Sequence, residues 1–224
     1  DAVRPAITDK TAGVLIEIVQ GEGGVNPLPG DYVRGLESLC REKGVLFMVD
    51  EIQTGMCRTG RFWAFQHHDV APDIFTCAKA LANGLPMGAL LATDEVAAGF
   101  VPGSHATTFG GGALLSAAAA KVVEIMRRDR LDERARRVGD YAMGLFTDLM
   151  RTYPDKIAAV RGLGLMIGIE LSFPGQAVWR ELLARGFVVN LTQDRVLRLL
   201  PPLTIPREDL ALFASALGMV LGEL

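Results

Sequence analysis

Gly44-Val-Leu-Phe-Met-Val-Asp50 and Asp73-Ile-Phe-Thr-Cys-Ala-Lys79 are two short apolar runs, each ending on a charged residue. Their length and composition read as buried strands, without the period-two alternation of a strand that has one wet face. Strands of this kind build an open, mostly parallel sheet with helices on both faces. The ligand crevice of such a sheet lies beyond the carboxyl ends of its strands. A carboxylate at Asp50 and an amine at Lys79, both delivered to that edge, form a chemical pair rather than surface decoration.

Outward from these runs, residues 13–19 read as a further buried strand ending in the turn Gly21-Glu22-Gly23-Gly24. Residues 32–43 have helical spacing (Val33, Leu36, Leu39, Cys40) after the start signal Pro29-Gly30-Asp31, so strand 45–49 closes a β–α–β unit. A polar loop with Gly55, Arg58, Gly60 and Arg61 precedes strands 74–77 and 88–92. A small-residue-rich helix at 113–126 leads to a charged helix at 131–150. Beyond it, 157–160, 165–171, 187–190 and 196–199 are strand-like, alternating with helices near 176–184 and 207–221. This change of character predicts an α/β domain over residues 1–130, half of a doubly wound sheet, and a small C-terminal α+β domain over 131–224.

Half of the 224 residues are hydrophobic, enough for a real core, and 23 basic against 26 acidic residues leave a net charge of −3. That balance gives no reason to expect a nucleic acid or a membrane surface as partner. The basic residues between Arg127 and Arg137 are interrupted by acidic ones at helical spacing, as on a solvated helix face. No apolar run approaches the ~18 residues of a membrane span, and no signal-peptide pattern opens the chain. Cys40, Cys57 and Cys77 are odd in number and have no ligand spacing, which fits reduced thiols in the cytoplasm. The chain opens on Asp1 in what reads as mid-domain sequence, and its mean hydropathy of +0.27 fits a surface covered by a partner or a missing segment. A fragment or a processed piece is expected.

Pyridoxal phosphate is a cofactor that needs both charged tips. A lysine amine forms its imine, and an acidic group stabilises the protonated ring nitrogen that makes the ring an electron sink. A strand-end lysine alone is ordinarily a snorkelling side chain; beside Asp50 it reads as a nucleophile whose desolvation favours the neutral amine. Asp50-Glu51 after four apolar residues also resembles the metal-binding strand of nucleotide hydrolases, but the GxxxxGK[ST] loop of that class is absent. Thr107-Thr108-Phe-Gly-Gly, before the Ala-rich helix, offers hydroxyls and N–H groups for a phosphate; an ordinary helix cap is the alternative. Arg198, a cation inside an apolar strand, suits a substrate carboxylate, or else an internal salt bridge to Glu22 or Glu17. His67-His68-Asp69 is not read as a metal site, because adjacent histidines point apart; no metal is expected.

Taken in order, these strings resemble the class III aminotransferases of the fold-type I pyridoxal-phosphate superfamily, closest to the acetylornithine and ornithine aminotransferases. The resemblance rests on Glu17-Ile-Val-Gln20-Gly-Glu22-Gly-Gly24, Phe47-Met-Val-Asp50-Glu51-Ile-Gln53-Thr-Gly55, Arg58-Thr-Gly60-Arg61, Pro72-Asp73 through Lys79, Thr107-Thr108-Phe-Gly-Gly and Arg198-Leu-Leu-Pro-Pro. It covers nearly the whole chain but only the C-terminal half of a family member. It implies that Lys79 is the Schiff-base lysine, that Asp50 pairs with the ring nitrogen and that Gln53 lies near the phenolic oxygen. It further implies that Thr108, with Thr107 beside it, reaches the phosphate of a neighbouring subunit's cofactor in a homodimer. Arg198 would hold the substrate α-carboxylate, Glu22 would be able to pair with that arginine, helping one site accept both an amino donor and a dicarboxylic keto acid, and Glu17 would lie near the cofactor. The implied reaction moves an amino group from N-acetylornithine to 2-oxoglutarate in arginine biosynthesis. Ornithine, succinylornithine and 4-aminobutyrate are alternative donors, and an inactive, cofactor-free fragment and a nucleotide hydrolase using Asp50 and Glu51 are the other readings. The chain departs from the family pattern at Ile18, where proline is usual, and at Gly112-Ala113, where Asn-Pro is usual.

Overall fold

The computed structural model describes residues 2–223. In chain order its elements are β1 (Gly13–Ile16), β2 (Val19–Gln20), β3 (Asn26–Pro27), α1 (Gly30–Lys43), β4 (Leu46–Asp50), β5 (Ile74–Cys77), β6 (Ala89–Ala92), α2 (Asp94–Ala97), α3 (Ala113–Arg128) and α4 (Leu131–Thr152). They continue with β7 (Ile157–Leu163), β8 (Met166–Leu171), α5 (Gln176–Ala184), β9 (Asn190–Thr192), β10 (Val196–Leu199) and α6 (Arg207–Glu223). Three 3-10 turns, among them Lys79–Ala82, complete the set. Two compact units result, one of residues 1–18, 28–56 and 63–129, the other of 19–27, 57–62 and 130–224.

In the first unit the sheet order is β1-β4-β5-β6, with β1, β4 and β5 parallel and β6 antiparallel to β5. α1 begins after the extended Pro29 and ends at left-handed Gly44, whose N–H donates to the carbonyls of Arg41 and Cys40. Asp31 in its first turn and Arg41 and Lys43 in its last complement the helix dipole. The buried stripe Val33, Leu36, Leu39 and Cys40 packs on Phe47 and Val49 of β4. At the amino end of the strands the Asp73 carboxylate accepts from Phe47 N at 2.7 Å, and Asp73 N donates to Phe47 O at 2.8 Å. That pair sets the register of β5 on β4.

The second unit carries an antiparallel sheet, β7-β8-β10-β9. Ile167, Ile169 and Leu171 of β8 and Leu197 and Leu199 of β10 are buried with Phe146 of α4, Leu182 of α5, and Phe213 and Leu217 of α6. Two expected strands are placed differently. Residues 13–19 do not form one strand: β1 stops at Ile16, Ile18 accepts from Leu28 N, and Val19 leaves the parallel sheet to pair with Pro27. The expected strand 187–190 lies later, as β9, because left-handed Gln193 and Asp194 turn the chain where Thr192 faces Val196. Phe187 and Val189 pack against the helical core instead.

Candidate active site

β4 and β5 run parallel with Asp50 opposite Thr76, so Asp50 and Lys79 leave the sheet at the same, carboxyl end. Glu17 follows the last residue of β1, the parallel neighbour of β4, and joins them at that edge. The Asp50 carboxylate is oriented: Oδ1 accepts from Ile52 N at 2.8 Å and from the Thr76 hydroxyl at 3.3 Å. Gln53 lies half-buried in the turn that follows. Glu51, next in the chain, is 1% exposed and faces inward, accepting from the Thr54 hydroxyl at 2.6 Å and Phe65 N at 2.9 Å. Burial pushes its carboxyl above the ordinary range. A carboxylate spent on loop anchoring in this way is not presented to a nucleotide-bound metal.

Lys79 opens the 3-10 turn with a left-handed backbone (φ 46°), a conformation that costs of order 1–3 kcal/mol outside glycine. The turn packs against α3, which over-determines it. One expectation is corrected here. Lys79 is exposed, so among the described residues the amine is not stripped of water, and the nucleophile argument stands on position alone. Thr107 and Thr108 are also exposed. The Thr107 hydroxyl accepts from Gly110 N at 3.1 Å, closing a turn ahead of α3, whose N-cap is Gly112 and carries no side-chain bond.

In the second unit Arg198 is 8% exposed, and its Nη1 donates to Glu22 Oε1 at 2.7 Å. The ion-pair alternative read from the sequence is therefore present, with Glu22 as the partner. Next to it a cavity of about 660 Å³ is lined by Arg198, Asn190 and Asp209 among apolar residues that include Phe187 and Phe213. Arg58, half-buried, donates from Nη1 to the carbonyls of Leu165 at 3.1 Å and Pro201 at 2.5 Å, fixing the chain just past Arg198. Burial pulls that guanidinium down to about 10.

Sequence reasoning missed Thr76 and the groups that hold Glu22. A hydroxyl in an apolar strand, one position short of the end, was the signal for Thr76. The Glu22 carbonyl accepts from the Thr192 hydroxyl and from Gln193 Nε2, and no local pattern announces that contact.

A mixed sheet with its polar groups gathered at the carboxyl edge is the architecture of fold-type I pyridoxal-phosphate enzymes, and solved structures agree. An ornithine aminotransferase from Toxoplasma gondii superposes with a TM-score of 0.93 at 33% identity, over 99% of this chain and 54% of its own. The acetylornithine aminotransferase from Elizabethkingia anophelis gives 0.92 at 31% identity, over 100% and 58%. In sequence, the acetylornithine aminotransferase of Methanocaldococcus jannaschii is 43% identical over all of this chain and 56% of its own length. The family model for class III aminotransferases matches residues 1–221, and the chain belongs to that family. It spans about half the length of the curated relatives it matches.

Proposed function

We propose that this chain carries the lysine, the ring-nitrogen partner and the carboxylate-binding arginine of an aminotransferase that moves an amino group from N-acetylornithine to 2-oxoglutarate, with pyridoxal phosphate as cofactor. One observation carries the reading: Lys79 and Asp50 stand at the carboxyl ends of adjacent parallel strands, with Asp50 held by a main-chain N–H and a hydroxyl. That arrangement fits the cofactor, which needs an amine and an acid on one edge. When bound, pyridoxal phosphate supplies an electron sink for the charge left on a substrate carbon that has lost its proton. Asp50 keeps the ring nitrogen protonated. Lys79 Nζ takes the proton from the substrate carbon and returns it on the product side. Arg198 binds a carboxylate of the substrate, and Glu22 occupies the arginine when that carboxylate is absent. Gln53, Glu17, Thr107 and Thr108 complete the cofactor surroundings, the threonines across a homodimer. Residues 1–130, apart from 19–27 and 57–62, act as the cofactor-binding part, and 131–224 together with those two segments as the small domain.

Acetylornithine is favoured as donor by curated relatives above 40% identity. Ornithine is the second reading, favoured by the solved ornithine aminotransferases that share this fold. Among the described residues no helix is long and apolar enough to cross a membrane. The free thiols of Cys40, Cys57 and Cys77 support a reducing compartment, and we place the enzyme in the cytoplasm. The test is intact mass after incubation with pyridoxal phosphate and borohydride. One cofactor should become fixed per chain, and none in Lys79→Ala. A mass gain that survives the substitution, or no gain in the parent protein, overturns the proposal. Half-reaction rates with acetylornithine and ornithine then decide the donor.

A further inference from the structure

Glu22 and Arg198 form an unequal pair. The arginine side chain is 9% exposed and the glutamate side chain 72%. Withdrawing Glu22 into water costs little, as for any surface carboxylate, whereas Arg198 stays behind in a dry setting that favours an anion beside it. A buried cation with an exposed, departing counter-ion is an exchangeable carboxylate site. What differs from an ordinary salt bridge is the main chain beneath Glu22.

That main chain is fixed at several points. The Glu22 carbonyl accepts two bonds, from the Thr192 hydroxyl at 2.7 Å and Gln193 Nε2 at 2.8 Å. The Gly24 carbonyl accepts from Arg161 Nη2 at 2.8 Å, and Arg161 Nε lies 3.1 Å from the carbonyls of both Gly24 and Val25. Arg161 is itself paired with Glu170. The segment is strained where it is held. Val25 has φ 55°, rare for a β-branched residue. It fits only because Gly168 has no Cβ, which would come within 2.9 Å of the Val25 Cβ. The latch is strained too: Gln193 (φ 49°) and Asp194 (φ 62°) are both left-handed without being glycine. Strain concentrated in a loop and in its clamp persists only where the surroundings over-determine it.

We infer that Thr192 and Gln193 are positioning residues that lock the main chain of Glu22, so that only its side chain exchanges with a substrate carboxylate on Arg198. The inference rests on the reading of Arg198 as a carboxylate site and adds the device that tunes it. A fixed main chain keeps the Glu22 carboxylate at high effective concentration beside the guanidinium, as any tether does for a competing ligand. Loosening the tether weakens the internal competitor, so a dicarboxylate binds more tightly. The latch thus sets how strongly the site discriminates against dicarboxylates.

The test is calorimetric titration of glutarate into the protein, with and without pyridoxal phosphate, beside the KM for 2-oxoglutarate. Glu22→Gln should tighten glutarate binding. Thr192→Val and Gln193→Gly should each tighten it between about twofold and tenfold, the range for one lost hydrogen bond. Thr192→Ser, which keeps the hydroxyl, should behave as the parent. Gln193→Gly also relieves a left-handed residue, so its melting temperature should hold or rise while the affinity changes. KM for 2-oxoglutarate should fall in the latch variants. If Glu22→Gln tightens binding and the latch variants do not, the latch is refuted and the pair stands. If Glu22→Gln leaves the affinity unchanged, the reading of the pair falls and the inference with it. Weaker binding accompanied by a lower melting temperature in Gln193→Gly also overturns the inference.

Discussion

Alanine substitutions at Gly139 and Gly144, two glycines of α4, should move stability in opposite directions. In a helix interior each gains the intrinsic preference of alanine over glycine, about 0.8–1 kcal/mol. A Cβ at Gly144 meets nothing within 4 Å, so Gly144→Ala should realise most of that gain. A Cβ at Gly139 would lie 2.1 Å from the Gly164 carbonyl oxygen and 2.4 Å from its carbon. These are main-chain atoms and cannot rotate aside. Gly164 cannot retreat either: it is left-handed (φ 54°), and its own Cβ position lies 2.5 Å from the Thr59 carbonyl carbon and 2.7 Å from Gly60 N. An ordinary carbon–oxygen approach is about 3.3 Å, so α4 and the β7–β8 turn must part by roughly 1 Å. Overpacking of this kind costs ~1–3 kcal/mol, and with no flexible atom to yield, the upper end applies. After the helix gain, Gly139→Ala should be ~2 kcal/mol less stable than the parent, and the two variants should differ by ~3 kcal/mol. Urea midpoints followed by far-ultraviolet circular dichroism, at unchanged slope, measure this directly. The shift has a functional arm as well. Leu165 N donates to Arg58 O, and Arg58 holds the Pro201 carbonyl three residues from Arg198, so carboxylate affinity should fall in Gly139→Ala and not in Gly144→Ala. Equal stability of the two variants would refute the close stacking of α4 on that turn.

Glu51→Gln should raise stability at neutral pH, with the gain vanishing in acid. The folded carboxyl binds its proton more tightly than the unfolded one. Between the ordinary carboxyl value and the raised one, the native state therefore holds more protons, and parental stability falls as pH rises through that window. The amide can still accept from Phe65 N and donate to the Thr54 hydroxyl. A variant-minus-parent difference independent of pH, read from unfolding at several pH values, would contradict this account. Arg198→Ala should weaken carboxylate binding by ~2–4 kcal/mol, the cost of losing a buried charge-assisted contact. Calorimetry with glutarate reads it, and an unaltered affinity would move the carboxylate site elsewhere.

Asp50 and Lys79 were legible in the sequence because a parallel sheet converts apolar runs of similar length into aligned tips. Once β4 and β5 are strands in one sheet, the charged ends arrive together. Glu22 was legible as a candidate for Arg198 because a cation inside an apolar strand demands an anion. The exposure of Lys79 was not legible, since it depends on what lies over the strand tip rather than on the strand. Neither were the left-handed Val25, Gln193 and Asp194, whose residue types favour other conformations and which are imposed by tertiary contacts. The break after Ile16 was hidden for a similar reason: Glu17-Ile-Val19 continues an apolar pattern, and only the pairing of Val19 with Pro27 diverts it.

Three carboxylates, Glu51 and Asp50 of the first unit and Glu22 of the second, show how one functional group takes different jobs from its surroundings. Glu51 is enclosed, bonded only to loop atoms and pushed toward its neutral form, so it serves the fold. Asp50 is half-buried, with Oδ1 held by a main-chain N–H and a hydroxyl, a setting that aims a fixed negative charge outward from the strand end. Such a charge suits a permanent partner like a protonated ring nitrogen, because nothing has to move when the partner arrives. Glu22 has the opposite design, a side chain mostly in water on a main chain whose carbonyl accepts two hydrogen bonds. It suits a temporary partner, since leaving costs the carboxylate little and the tether ensures its return. In the reaction proposed above, an amino donor alternates with a dicarboxylic acceptor, and the two anions would divide the work, one staying and one yielding. Under that proposal the two are not interchangeable: a rigid Glu22 would exclude the acceptor, and a mobile Asp50 would leave the ring nitrogen without a fixed partner.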